Sequence, residues 1–384
     1  LSLDLFFFYF FYEMAVIPMY PLIGIWGSDT KERGVVRFTK EYAAIKLTIY
    51  LTAGAVLALV GLLWLYVSSG AQTFDLVSLE RHLTRAPLAV NLQRAIFPLL
   101  AIGFGFIIPL WPFHSWSPIG HAAAPSAVSM LHAGVLMKLG SYALIRIAMN
   151  LLPAGAHMWL PVLATVCMMN ILYGGFVAMA QRDLKFIIGY SSSSHMGYVV
   201  LGLSGLTVLG LNGAVLLMFA HGLMTALAFA LVGHVYDQTH TRELSALGGL
   251  ARHLPFIAGC GVIAAMAASG LPGFANFVAE LLVFLGSWDR YPIQTVGAVF
   301  GVVITAVYML RLVRGVFFGE AKPAFAHVRD AVTPFARLPY VVLTAVLLLV
   351  GCWPKPLVRI VDSGARPLLE RIAPKEAGQF ARRP

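Results

Sequence analysis

Long apolar stretches alternate with short polar ones along nearly the whole chain. They predict ten helices of spanning length, at about 3–26, 40–67, 95–117, 121–149, 157–180, 183–205, 208–236, 256–286, 291–318 and 337–353. Crossing a bilayer takes about 20 predominantly apolar residues as a helix. Barrel strands would instead show about ten residues of alternating polarity, and the chain has no such alternation. The predicted fold class is therefore all-α, a polytopic transmembrane helix bundle. Most connections are short, so neighbouring helices pack antiparallel. The longest polar connection is 69–94, the stretch 319–336 reads as a loop or surface helix, and the tail after Pro354 is amphipathic and basic. Two segments contain helix breakers. The third ends in "FGFIIPLWPFHSW", where Pro109 and Pro112 remove backbone donors, and the eighth contains "SGLPG" at 269–273. Broken helices at membrane depth are tolerated where they are buried in protein or line a water-filled cavity, and in transporters they mark ion sites.

Composition agrees with the pattern. The 384 residues are 59% hydrophobic and 11% charged, against roughly 25% charged in soluble domains. The net charge of +10 does not point to nucleic acid, because the basic residues sit between the apolar runs, where topology places them. The connections after the first, fifth, seventh and ninth segments hold Lys31, Arg33, Arg37, Lys40, Arg182, Lys185, Arg242, Arg252, Lys322 and Arg329. The positive-inside rule makes that side cytoplasmic. The tail then falls outside although it carries Lys355, Arg359, Arg366 and Arg371, a conflict that docking on protein or lipid headgroups would soften. Cys167, Cys260 and Cys352 are scattered singly in apolar runs, so neither an iron–sulfur nor a zinc site is expected. The chain opens on Leu and is already apolar by residue 3, which suggests a trimmed chain whose N-terminal part is missing.

Several segments carry an ionisable side chain well inside. These are Glu13 in the first, Lys46 near the start of the second, Lys138 in the middle of the fourth, Lys185 and His195 in the sixth, His221 in the seventh and Glu280 in the eighth. A charge near the bilayer centre costs at least about 2.5–3.5 kcal/mol on insertion scales, so each needs a compensating partner or a use. A series of such groups is how a proton relay is built, since moving one charge changes the proton affinity of its neighbour. Lys46 and Lys185 have the alternative of snorkelling to the interface. His195 follows "YSSSS" and either lines a hydrated path or hydrogen-bonds within the bundle. His221 has the same choice, and His132 and His234 are either core histidines with satisfied partners or weaker members of the series.

The motifs resemble the antiporter-like membrane subunits of respiratory complex I. The matching stretches are "DLFFFYFFYEMAVIPMYPLIGIWG" (4–27), "PFHSWSPIGHAAAPSAVSMLHAGVLMKLGSYALIR" (112–146), "AQRDLKFIIGYSSSSHMGYVVLGL" (180–203), "HGLMTALAFALVGHVYDQTHTRELSALGGL" (221–250) and "GLPGFANFVAELLVFLGSW" (270–288). "EMAVIPMY", and "HTRE" followed by "GGL", point to the M branch. The resemblance implies fourteen helices built as two inverted five-helix repeats, of which this chain would hold the fifth to the fourteenth. On that reading residues 1–353 form the proton-conducting domain, with about 1–117 the rest of a first half-channel, about 118–290 a second and about 291–353 flanking helices, and 354–384 form the tail. Glu13 resembles the glutamate that tunes a pumping lysine, Lys138 the central lysine, Lys185, His195 and His221 the polar axis of the second half, and Glu280 the outlet residue. Lys46 matches a lysine of the sixth helix. The pumping lysine of the broken seventh helix has no counterpart: its position is Ile107, and Ile119 stands where an aspartate is usual.

The resemblance thus implies a proton-translocating subunit of an NADH:quinone oxidoreductase in the bacterial inner membrane. No cofactor is expected in this chain; quinone, NADH, FMN and iron–sulfur clusters would belong to partner subunits. The partners implied are neighbouring antiporter-like membrane subunits, including the one with a long lateral helix, and the lipid bilayer. A cation/proton antiporter or membrane-bound hydrogenase subunit is a first alternative. A structural subunit with an impaired first half-channel is a second, favoured by Ile107.

Overall fold

A computed structural model describes residues 2–32 and 34–372, the side chains of Lys31 and Glu32 excepted. Arg33 and the tail from 373 onwards lie outside the described residues. The helices are α1 (Leu5–Val16), α2 (Met19–Gly24), α3 (Lys40–Ser69), α4 (Leu76–Arg85), α5 (Val90–Ile107), α6 (Trp116–Ala123), α7 (Ser126–Leu131), α8 (Met137–Ala143), α9 (Pro153–Ala180), α10 (Leu184–Ser204), α11 (Val208–Thr239), α12 (Pro255–Ala268), α13 (Ala275–Ser287), α14 (Pro292–Phe317), α15 (Pro334–Cys352) and α16 (Lys355–Ile372). A small antiparallel hairpin, β1 (Thr30–Glu32) and β2 (Val35–Phe38), joins α2 to α3.

Eight helical stretches are long and apolar enough to cross a membrane: Leu5–Gly24, Lys40–Ser69, Val90–Ile107, Ser126–Met149, Pro153–Ala180, Val208–Thr239, Pro292–Phe317 and Pro334–Cys352. With α10 and the broken pair α12–α13 they account for all ten expected segments. Boundaries moved at the breaks. The third segment resumes beyond its prolines as α6 and reaches Ala123, so the fourth begins at Ser126 rather than 121.

The breaks are stabilised by side chains that satisfy freed backbone groups. Between α5 and α6, the Trp111 N–H donates to Asn170 Oδ1 at 2.9 Å, the Ser193 hydroxyl donates to the Pro109 carbonyl at 3.0 Å, and Trp116 Nε1 donates to the Phe106 carbonyl at 2.8 Å. Between α12 and α13 the chain turns through Gly270 and Gly273, with φ of +62° and +97°.

Helix α10 is the axle of the bundle: every one of its residues except Tyr190 is buried. The serines that look out of place in lipid never meet it. Ser191 accepts from Tyr308 at 2.8 Å, Ser193 bonds Pro109, and Ser194 donates to the Ile171 carbonyl at 2.9 Å.

Small residues let the helices approach closely. A Cβ on Gly103 would lie 2.7 Å from the Ala58 nitrogen and 2.8 Å from the Gly54 carbonyl oxygen, both backbone atoms of α3. Gly103→Val is therefore expected to cost about 1–3 kcal/mol by overpacking. Chemical denaturation of the detergent-solubilised protein reads the loss, and an unchanged midpoint would contradict the close approach.

One polar connection and the start of the tail form amphipathic helices outside the spans. In α4, Asp75 caps the first turn and Leu76, Leu79 and Leu83 face inward. The hydrogen bond from Ser78 holds the Asp75 carboxyl below its usual range. Helix α16, in the basic tail, docks back onto the bundle. Arg371 pairs with Glu80 of α4, Asp362 accepts from Asn212 of α11 at 3.0 Å, and Arg366 pairs with Asp362 at 2.6 Å. Two of the arginines that conflict with the charge rule are thus neutralised by the protein itself.

Candidate functional site

The fourth segment is not a regular helix. Wide π turns, His132–Leu136 and Leu144–Met149, stand on either side of α8. Such turns are rare and concentrate at functional sites. Lys138 lies between them, nearly buried, and its ammonium is held by the Ala133 carbonyl of the first wide turn. The same Nζ lies 2.7 Å from His221 Nδ1 on α11. Beyond His221 the ring of His195 stacks at 5.3 Å between centroids. His195 Nε2 in turn lies 3.7 Å from Glu280 Oε1 on α13. Four residues from four segments therefore form one buried line across the bundle, Lys138, His221, His195 and Glu280.

His195 is fixed by carbonyls. Its Nδ1 donates to Ser191 O at 2.7 Å, and its Nε2 faces Ala268 O, freed at the α12–α13 break, at 3.2 Å. Glu280 folds back over the same break, where a Cβ on Gly270 would strike its carboxylate. The broken helix thus supplies both a carbonyl and a carboxylate to one histidine.

The line extends on the other side of Lys138 through two histidines that sequence reasoning valued too little. His121 on α6 and His132 are fully buried and their rings lie 4.4 Å apart, flanked by Phe229 and Trp116. All four of their ring nitrogens lack a hydrogen-bond partner among the described residues. The expectation of a satisfied core histidine thus fails at His132, because aromatic stacking holds these rings without occupying their nitrogens. A buried polar group left this way costs about 1–3 kcal/mol. His121 went unremarked; the signal available was its place just past a proline-broken helix. Lys138 and Lys185 are both within electrostatic reach of His121. Lys185 is buried at the foot of α10 and donates to the Ala124 carbonyl at 2.5 Å.

The two remaining expected residues stand apart. Glu13 is half-buried on α1; Tyr9 one turn earlier hydrogen-bonds it, and its Oε1 has no partner. Ile107 is fully buried in the apolar cluster that holds Tyr12 and Val16 of α1. Lys46 lies 5.8 and 5.7 Å from the Tyr42 and Tyr50 rings, outside the buried line. Tyr12 and Lys138 do border one cavity of about 540 Å³, which brings the Glu13 region next to the central lysine. His234 makes a contact to the Arg329 carbonyl at 3.3 Å away from the line.

A family model for the membrane region of NADH:quinone oxidoreductases and Mrp antiporters matches residues 2–305. The chain belongs to this family. Among its relatives is NADH-quinone oxidoreductase subunit M of Pseudomonas aeruginosa, 35% identical over 368 residues, 94% of this chain and 70% of that protein. The Escherichia coli subunit M is 34% identical over 363 residues, 93% of this chain and again 70% of the relative. In three dimensions the chain resembles one in the respiratory complex I of Thermus thermophilus, with a TM-score of 0.88 and 29% identity, over 97% of this chain and 76% of that one. The Mrp complex of a Dietzia species shares the fold, with a TM-score of 0.82 at 20% identity over 98% of this chain and 76% of that one. Membership in the family and the spanning helices make this an integral, multi-pass membrane protein.

Proposed function

We propose that this chain is the M-type, proton-translocating membrane subunit of a complex I-type NADH:quinone oxidoreductase. Its path would be Lys185, the His121–His132 pair, Lys138, His221, His195 and Glu280. The observation that carries the reading is the buried line from Lys138 to Glu280. A neutral imidazole has one acceptor and one donor nitrogen, so a proton can enter at one and leave from the other. His221 is oriented for this, with Nδ1 against Lys138 and Nε2 open. The 3.7 Å between His195 and Glu280 exceeds a hydrogen bond, so a small shift or one water completes the last transfer.

On this reading the second half-channel region, about 118–290, carries the flux. The first, about 1–117, holds Glu13 without a lysine at 107, and Lys46 has no direct part. Residues 291–353 flank the path and the tail braces it. Electron transfer from NADH through flavin and iron–sulfur clusters to quinone is assigned to partner subunits, which drive this one through coupled charges. Identity in the mid-thirties per cent to subunit M proteins favours this assembly over an Mrp-type antiporter, whose likeness is one of fold.

The test is Glu280→Gln in the assembled complex in vesicles. A proton-transfer group is worth about 10²–10⁴-fold in rate, so flux through this subunit should fall at least tenfold, with fewer protons moved per electron. An unchanged proton-to-electron ratio in an intact complex would sink the relay.

A further inference from the structure

The end of α6 gathers hydrogen-bond donors. Its last carbonyls form the negative pole of a helix, and each is taken by a donor. Ala122 O accepts Arg242 Nη1 at 2.5 Å, Ala123 O accepts the Ser28 N–H at 2.8 Å, and Ala124 O accepts Lys185 Nζ at 2.5 Å. Arg242 and Lys185 therefore share one anchor. Arg242 also pairs with Asp183, Nε to Oδ2 at 3.1 Å, and its guanidinium lies 5.5 Å from the Tyr236 ring. Asp183 in turn caps α10, accepting from the backbone nitrogens of Lys185 and Phe186 at 2.8 and 3.3 Å. A short antiparallel bridge fixes the two strands that carry the pair: Leu184 N donates to Arg242 O at 3.0 Å, and Leu244 N to Arg182 O at 2.9 Å.

Outside this pair lie two recesses of about 270 and 390 Å³, both bounded by Asp183 and Glu243. Inside it lies Lys185, only 3% exposed. The pair is the thin wall between a polar recess and the first buried carrier of the proposed path. It stands on the side that the loop charges assign to the cytoplasm.

We propose that Asp183 and Arg242 form the entry gate of the proton path. The inference rests on the relay reading above. Arginine does not give up its proton in proteins, so Arg242 is a gate and not a carrier. Seated against Ala122 O and Asp183, its fixed charge repels an arriving hydronium and its bulk fills the way to Lys185. When Arg242 turns out towards the carboxylate-lined recess, hydronium reaches the neutral Lys185 amine. One O–H bond breaks, one N–H bond forms on Nζ, and a water molecule is left in the recess. The proton then passes inward to an open ring nitrogen of His121. Asp183 and Arg242 are positioning residues, because they act through Lys185.

The experiment follows the accessibility of Lys185 in the complete complex reconstituted in vesicles, using a small water-soluble amine-reactive reagent and mass spectrometry. In the resting wild type Lys185 should label slowly. In Arg242→Gln it should label at least tenfold faster, and the vesicles should leak protons without electron transfer. Arg242→Lys, which keeps the charge, should restore slow labelling. Labelling of Lys185 in assembled Arg242→Gln no faster than in the wild type would overturn the gate. Should that variant fail to assemble, the wild type decides: Lys185 must label faster during turnover than in the inhibited enzyme, and equal rates would overturn the gate. Glu280→Gln separates the two readings, since it removes flux through the relay while resting Lys185 labelling stays as in the wild type.

Discussion

Lys138→Ala should stop proton transfer through this subunit while leaving the complex assembled. The side chain stands between the His132 turn and His221, and its Nζ contacts His221 Nδ1 at 2.7 Å. Alanine removes the group that nitrogen faces. The expected result is a fall in protons moved per electron, with quinone reduction continuing or slowed. Lys138→Arg sharpens the result. Arginine keeps the positive charge but does not release its proton, so it should fail as alanine does. A pumping Lys138→Arg variant would show that only the charge matters and that Lys138 is no carrier.

The second large effect concerns the position where the family resemblance and this sequence part company. Ile107 has no solvent exposure and packs in the cluster of Tyr12, Val16, Leu47 and Leu51. Placing an ammonium there without a partner should cost about 3–5 kcal/mol, the scale of a buried charge left uncompensated. Glu13 sits on α1 between Tyr12 and Val16 in sequence, with one carboxylate oxygen unpartnered. Ile107→Lys should therefore destabilise less in the presence of Glu13 than in a Glu13→Gln background. The coupling expected from a double-mutant cycle is about 1–3 kcal/mol. Equal losses in both backgrounds would place the carboxylate out of reach and end the idea that this half of the chain could be rebuilt by one residue.

Much of the fold could be read from the chain because lipid imposes simple rules. Ten apolar stretches became ten crossings, and both proline- or glycine-rich interruptions proved to be real breaks. The burial of Lys138, His195, His221 and Glu280 was legible for the same reason, since an ionisable side chain flanked by apolar sequence has few places to go. The hairpin at Thr30–Phe38, the surface helix α4 and the wide turns beside Lys138 were not foreseen. They depend on local backbone choices with no apolar period to announce them. His121 and Arg242 were missed as a pair of clues for a different reason. Their meaning comes from what crosses them: a second imidazole and Phe229 over His121, and the carbonyl end of α6 beneath Arg242. No spacing within one stretch encodes a crossing between two.

The burial of α10 has a consequence for how the protein is made. This helix holds Lys185, four consecutive serines and His195, and it falls outside the spans apolar enough to cross a membrane alone. Its polar groups are matched by partners on α9, α12, α14 and the α5–α6 break. Released singly into lipid, it would carry those groups unmatched, at a cost of several kcal/mol for each. Its entry into the bilayer is therefore a collective event: α9 must wait beside it, and α12 and α14, which are synthesised later, must arrive before it is fully settled. A truncation after α11 should leave this central helix stranded at the insertion machinery rather than merely shorten the subunit.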